Sequence, residues 1–198
     1  FSLARRITSV KHALVFLGLN TIRHLSLSIA TVGALPRKTK TGVSLEDYLK
    51  DSLATGAIAR QLASKVGMTS RDADEMFLAG LLHNIGEIVL AAHCAEQYSE
   101  AERYGVQHDL SSAEAQQQVL GIDQFELGGM VARKWELPDQ VVQAIRYYAV
   151  APDGIPCTGV TDCIAASTRM LKALQLGQKS VVLPPSAEER LGSHVESL

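Results

Sequence analysis

Cysteine is scarce in this chain, a marked excess of either charge is absent, and extended apolar runs are few; each lack closes off a class of protein. The three cysteines, Cys94, Cys157 and Cys163, are an odd number without Cys-x-x-Cys spacing. That pattern speaks against a secreted disulfide scaffold and for reduced thiols in a cytoplasmic protein. Nineteen basic against 21 acidic residues leave a formal charge of -2, so the chain carries no footprint of a nucleic-acid or anionic-membrane binder. Arg5, Arg6, Lys11, Arg23, Arg37, Lys38 and Lys40 gather in the first forty residues and read as a solvated edge. The most apolar stretch, Met76 to Ala92, is interrupted by His83, Asn84 and Glu87 and is not expected to span a bilayer. No signal peptide is visible, although a chain that opens on Phe1 reads as a piece of something longer.

Catalytic signatures are missing as well. There is no Gly-rich phosphate loop, no G-x-S-x-G elbow, no H-E-x-x-H and no pair of histidines four apart, which removes the common nucleotide-binding, serine-hydrolase and zinc-protease readings. His93 follows His83 by ten residues, out of register for a ligating pair at about 3.6 residues per turn. His12 and His24 fall in the first two predicted helices, His108 in a Gln-His-Asp stretch that reads as a loop, and His194 near the end of the chain. Cys94 beside His93 reads as an inert thiol, since neighbours in one helix face different ways.

What is present is helical. With 198 residues and 46% hydrophobic content, the chain can bury a core as one domain or as two packed subdomains. Val10, Ala13, Leu14 and Leu17 repeat with helical spacing up to Gly18, and Ile22, Leu25, Ile29 and Val32 stripe a second helix to about Leu35. Residues 36–43, polar and rich in breakers, predict a linker between a remnant of an N-terminal helical subdomain (1–35) and a main helical subdomain (44–198). Ser44 with Asp47 starts a helix to about Val66, in which Ala54, Gly56, Ala57 and Ala59 admit a close neighbour. Thr69 with Asp72 starts the apolar helix of His83, with a break or kink expected at Gly86. Ser111 with Glu114, Asp123 with Glu126, and Pro138 start three more, the first ending at Gly121, and a last long helix covers about Thr158 to Leu176. Gly128-Gly129 serves packing, and Trp135 packs into the core at a helix junction. Lys179 to Leu183 is at most a short extended segment, with a helix or a fraying end after Ser186. The fold class is all-α.

The chemistry turns on His83-Asn84. A metal in a helical bundle needs imidazoles and carboxylates converging from several helices, and one histidine beside an uncharged amide does not supply them. His83 reads as a core histidine hydrogen-bonded to backbone or to a polar neighbour, rather than as a ligand. Asp51 lies on a stripe with Thr55, Ile58 and Leu62. It is either a buried carboxylate paired with His83, Arg60, Arg133 or Arg146, or an exposed one on a half-buried face.

Four segments, in order, resemble one family. Ile7 to Gly18 is similar to its I-x-S-[VI]-x-x-A-[IV]-x-x-L-G helix, Tyr48 to Ser52 to its [FW]-W-x-H-S start, Phe77 to Leu90 to its central helix, and Trp135 to Pro138 to its W-x-L-P turn. The family is the HDOD domain of bacterial signalling proteins, degenerate relatives of the HD phosphohydrolases. The resemblance implies an HD-type helical bundle, of which the family's usual opening helices are missing here. It places Asp51 where HD enzymes carry their first histidine and Asn84 where they carry the aspartate of the HD pair. Tyr147 and Tyr148 stand where many relatives show His-His, and the last metal aspartate falls near Asp162 or, by spacing, at Ser167. Only His83 is kept, so no catalytic residue, metal or other cofactor is expected. The implied function is a non-catalytic module that contacts other signalling domains of its own protein or partner proteins, or forms a homodimer. Its vestigial pocket is a weaker candidate for a nucleotide or other small ligand. The alternative is a metal-dependent phosphohydrolase acting on a phosphodiester such as a cyclic dinucleotide, through His83, Asp51, Asn84 and Asp162.

Overall fold

Local capping chemistry sets most of the helix boundaries. In the computed structural model, which describes residues 41, 43–149 and 159–175, the Ser44 side chain accepts from the Asp47 amide at 3.2 Å and opens α1, Leu45–Lys65. Reciprocal capping boxes at Thr69/Asp72 and Ser111/Glu114 open α2, Ser70–Leu82, and α5, Ser112–Leu120. The Asp123 carboxylate accepts from the amides of Phe125 and Glu126 to open α6, Gln124–Lys134. Pro138 is the residue before α7, Asp139–Tyr147. With α3, Ile85–His93, α4, Ala95–His108, and α8, Gly159–Gln175, these are the eight helices of the described residues, among which there is no strand. The predicted helices before residue 36, the linker, the basic edge, His12, His24, His194, Cys157 and the segment after Gln175 lie almost wholly outside the described residues.

Two expectations are corrected. Gln107 and His108, expected in a loop, are the last residues of α4, and only Asp109 lies beyond it, as a left-handed cap; Tyr98, Ala101 and Gly105 form the buried stripe of that helix, and two of these three are too small to signal burial by hydrophobicity. The break in the apolar segment falls at His83-Asn84, before Gly86. The imidazole Nδ1–H of His83 donates to the Gly80 carbonyl at 2.7 Å, one of the last-turn carbonyls left without a helical partner.

The helices pack around one core built from Leu62 of α1, Met76 and Leu82 of α2, Ile85 of α3, Val141 and Ile145 of α7, and Ile164 of α8. Trp135 packs against it. A smaller cluster of Leu90, Ala91 and Tyr98 joins α3 to α4. Counted through the turn at 83–84, Ser70–His93 is long and apolar enough to cross a membrane, contrary to the sequence expectation, but most of it is buried inside this core. Burying such side chains stabilises by about 1.5–3 kcal/mol each, which accounts for the apolar run without a membrane.

Glycines bring backbones into contact on both sides of His83. Gly80 of α2 crosses Gly56 of α1 so closely that a Cβ on Gly80 would lie 2.6 Å from the Gly56 Cα. Three residues after His83, a Cβ on Gly86 would lie 1.9 Å from the Gln124 carbonyl and 2.7 Å from the Gly128 amide of α6. Gly86 is a contact point between helices. Overpacked cores lose about 1–3 kcal/mol, occasionally more, and here the obstacle is backbone. Gly86→Ala is therefore expected to lower unfolding stability by about 3 kcal/mol or more in urea denaturation, whereas Gly67→Ala is expected to be milder, because no atom lies within 4 Å of the added Cβ and only its positive φ opposes it.

Candidate functional site

The His83-Asn84 turn opens onto a pocket of about 410 Å³. Asp51 and Thr55 of α1, His83 and Asn84, Gln124 and Phe125 at the start of α6, and Tyr148 after α7 line one part of it. Ala149, with Thr168, Arg169, Leu171 and Lys172 of α8, supplies the rest. A larger cavity, about 550 Å³, runs beside α4 near Tyr98 and Arg103 and holds none of the sequence-predicted site residues.

Of those residues, the structure brings together Asp51, His83, Asn84 and Tyr148. Tyr147 lies elsewhere, under the Arg146 guanidinium at 5.4 Å. Asp162 is buried near the start of α8, and neither it nor Ser167, whose hydroxyl donates to the Cys163 carbonyl at 2.6 Å, lines the pocket. Asp51 is exposed at the pocket wall, the second of its two readings. Arg60 pairs with Asp74 at 3.0 Å and Arg146 approaches Glu126 at 3.9 Å.

His83 is held on two sides. Its Nδ1–H is committed to the Gly80 carbonyl, and its ring meets the Tyr148 ring edge-on with centroids 5.1 Å apart. Phe125 contacts the same tyrosine at 5.3 Å. Burial pushes the imidazole below its ordinary pKa, outweighing the opposing influence of the Gly80 carbonyl and the Asp51 charge. A neutral ring with Nδ1 protonated leaves Nε2 as a bare acceptor. Burial also raises Tyr148, with the charge of Glu87 adding to it, and pushes Tyr48 up to about 12. The Cys163 thiol, likewise raised to about 12 by burial, is inert.

Two groups that sequence reasoning missed complete the picture. The first is Glu87, on the first turn of α3. Its carboxylate accepts from the Asn84 side-chain amide and from the Tyr98 hydroxyl, the latter at 3.0 Å. Only the Ncap-to-N3 spacing of Asn84 and Glu87 hinted at this pair. The second is the cationic pair Arg169 and Lys172 on α8, which local pattern does not assign to any site. Gln116, fully buried, exchanges two hydrogen bonds with Gln124 at 2.8 and 3.2 Å and so fixes the start of α6.

The profile of the HDOD domain family matches residues 1–150. The chain belongs to this family. An uncharacterized protein of Treponema pallidum (strain Nichols) is 25% identical over 77% of the chain, which spans only 29% of that relative. Among solved structures, an HDOD domain protein of unknown function from Geobacter sulfurreducens superposes with a TM-score of 0.70 at 22% identity, covering 98% of this chain and 66% of that one. A protein from Marinobacter aquaeolei VT8, provisionally named for signal transduction, gives 0.70 at 24% over 98% of this chain and 44% of its own. One from Shewanella amazonensis SB2B, provisionally named a phosphohydrolase, gives 0.69 at 23% over 96% and 75%. At these identities the likeness is one of fold, and the fold is the HD-type helical bundle of the HDOD structures.

The metal implied by HD relatives can be tested against the donors present. Among the described residues no three His, Cys, Asp or Glu side chains converge. The pocket offers one imidazole, one exposed carboxylate and an amide already donating to Glu87, while Arg169 and Lys172 add positive charge to the wall. This set does not fit a divalent cation.

The depressed pKa of His83 has a consequence for stability. Near its ordinary pKa of about 6.5 the unfolded chain takes up a proton that the folded chain resists. The contribution of His83 is thus full above that pH and shrinks as pH falls through 6.5 toward the lower folded value. Urea denaturation at pH 7.5 and 5.5 is expected to show a larger loss of stability on acidification for the wild type than for His83→Gln.

Proposed function

We propose that this HDOD domain is a non-catalytic signal-transduction module of a bacterial cytoplasmic protein. It acts through regulatory contacts with other signalling domains of its own protein, with partner proteins or with a second copy of itself. The observation that carries this reading is the rewired HD turn: Asn84 is spent on Glu87, His83 on Gly80 and Tyr148, and the α8 wall is cationic. These contacts fix the turn and its neighbours, and the Glu87 carboxylate is taken up by Asn84 and Tyr98 instead of being left to activate water against a phosphodiester. Family membership and the signalling name of the Marinobacter protein support the reading. The phosphohydrolase name of the Shewanella protein favours the competing one, so the test includes that activity.

Two measurements check it. Incubated with Mn²⁺ and either bis(p-nitrophenyl) phosphate or cyclic di-GMP, the chain is expected to give no turnover above buffer. Turnover abolished by His83→Ala overturns the reading. In the same preparation, light scattering or pull-down against separately expressed domains of the parent protein is expected to show association that survives His83→Ala, and an inert monomer that binds none of them counts against it.

A further inference from the structure

A site that does not suit a cation can suit an anion, and the same pocket carries an unspent polar group. The Thr55 side chain is 1% exposed, lines the pocket, and its Oγ1 has no hydrogen-bond partner. A buried hydroxyl left without a partner is destabilising, and a bound ligand can satisfy it. Around it stand complementary features. His83 presents Nε2 as an acceptor, because Nδ1–H is committed to Gly80. With its amide nitrogen turned to Glu87, Asn84 keeps its carbonyl oxygen as a further acceptor. Phe125 and Tyr148 give an aromatic wall, already set edge to face. Lys172 and Arg169 supply the positive charge, and Asp51 adds a carboxylate suited to an N–H donor.

We propose that the His83 pocket is a binding site for one small aromatic anion. Its phosphate or carboxylate lies at Lys172 and Arg169, its ring packs along Phe125 and Tyr148, and its polar edge meets Thr55, Asn84 and the Nε2 of His83. The volume, about 410 Å³, is at the lower end of the usual range of about 300–1,000 Å³ for small-molecule sites, which fits a single-ring-system ligand. Occupancy bridges α1, α6 and α8 and so gives the module an input distinct from its contact surface. The inference rests on the pocket being free of metal, and the experiment separates the two claims.

The test is a ¹H–¹⁵N NMR titration of the whole chain in EDTA. Guanosine 5′-monophosphate and indole-3-acetate are the phosphate-bearing and carboxylate-bearing probes, with inorganic phosphate and guanosine as the two halves. At least one complete probe is expected to saturate below about 1 mM, a ligand-like affinity, shifting amides around Thr55, Asn84 and Lys172, with each half binding at least tenfold more weakly. Lys172→Glu, an exposed position, is expected to weaken binding at least tenfold, and Thr55→Val to weaken it without lowering the thermal stability of the unliganded protein. Arg71→Glu, remote from the pocket, is expected to leave affinity unchanged. No saturable shift with either probe, in EDTA or with Mg²⁺ in its place, overturns the proposal. So does binding indifferent to both pocket substitutions. Binding that appears only with Mg²⁺ overturns the metal-free reading as well.

Discussion

The geometry of this molecule depends on two places where helix backbones touch. Gly80 lies against Gly56 on one side of His83 and Gly86 against Gln124 on the other, so the five residues between these contacts have little freedom. That close approach leaves no room for side chains at the crossings. It therefore commits the turn at 83–84 to face the gap between α1, α6 and α8, and the pocket follows from it. The Gly80 carbonyl that anchors His83 belongs to the same crossing. Packing and site chemistry are thus one arrangement in this protein.

Within that clamp the polar residues are tied to one another. Where the HD resemblance expects an acid beside His83, Asn84 donates to Glu87, and an acid there would set two carboxylates against each other in a partly buried environment, where like charges interact strongly. Glu87 in turn takes the Tyr98 hydroxyl, linking the main core to the smaller cluster of α3 and α4. An asparagine at position 84 therefore does more than leave a carboxylate out. It makes Glu87 compatible with the turn and gives α3 a polar tie at its start.

How much of this was legible in the sequence follows from the range of each interaction. The caps at Ser44, Thr69, Ser111 and Asp123 were readable because donor and acceptor lie within three residues of each other. The packing role of Gly128 and the helical class were readable from composition and period. The helix α4 was missed because Ala101 and Gly105 bury little surface and most of its remaining residues are polar. The break at His83-Asn84 was placed late because it arises from a side chain competing for the Gly80 carbonyl, whereas Gly86, the apparent breaker, answers to α6, some forty residues on. The exposed position of Asp51 was one of two readings that the stripe left open. Arg169 and Lys172 join the pocket only through the packing of α8 on α1, which no local pattern encodes.

The central claim is that Asn84 serves Glu87 and the helix junction, and that the donors of the pocket do not fit a catalytic metal. Calorimetric titration of chelator-treated protein with Mn²⁺, on the wild type and on Asn84→Asp, tests it most directly. The account predicts no saturable site in either protein and an Asn84→Asp variant that unfolds at lower urea, because the new carboxylate opposes Glu87. One equivalent of Mn²⁺ bound by either protein, and lost on His83→Ala, would contradict it.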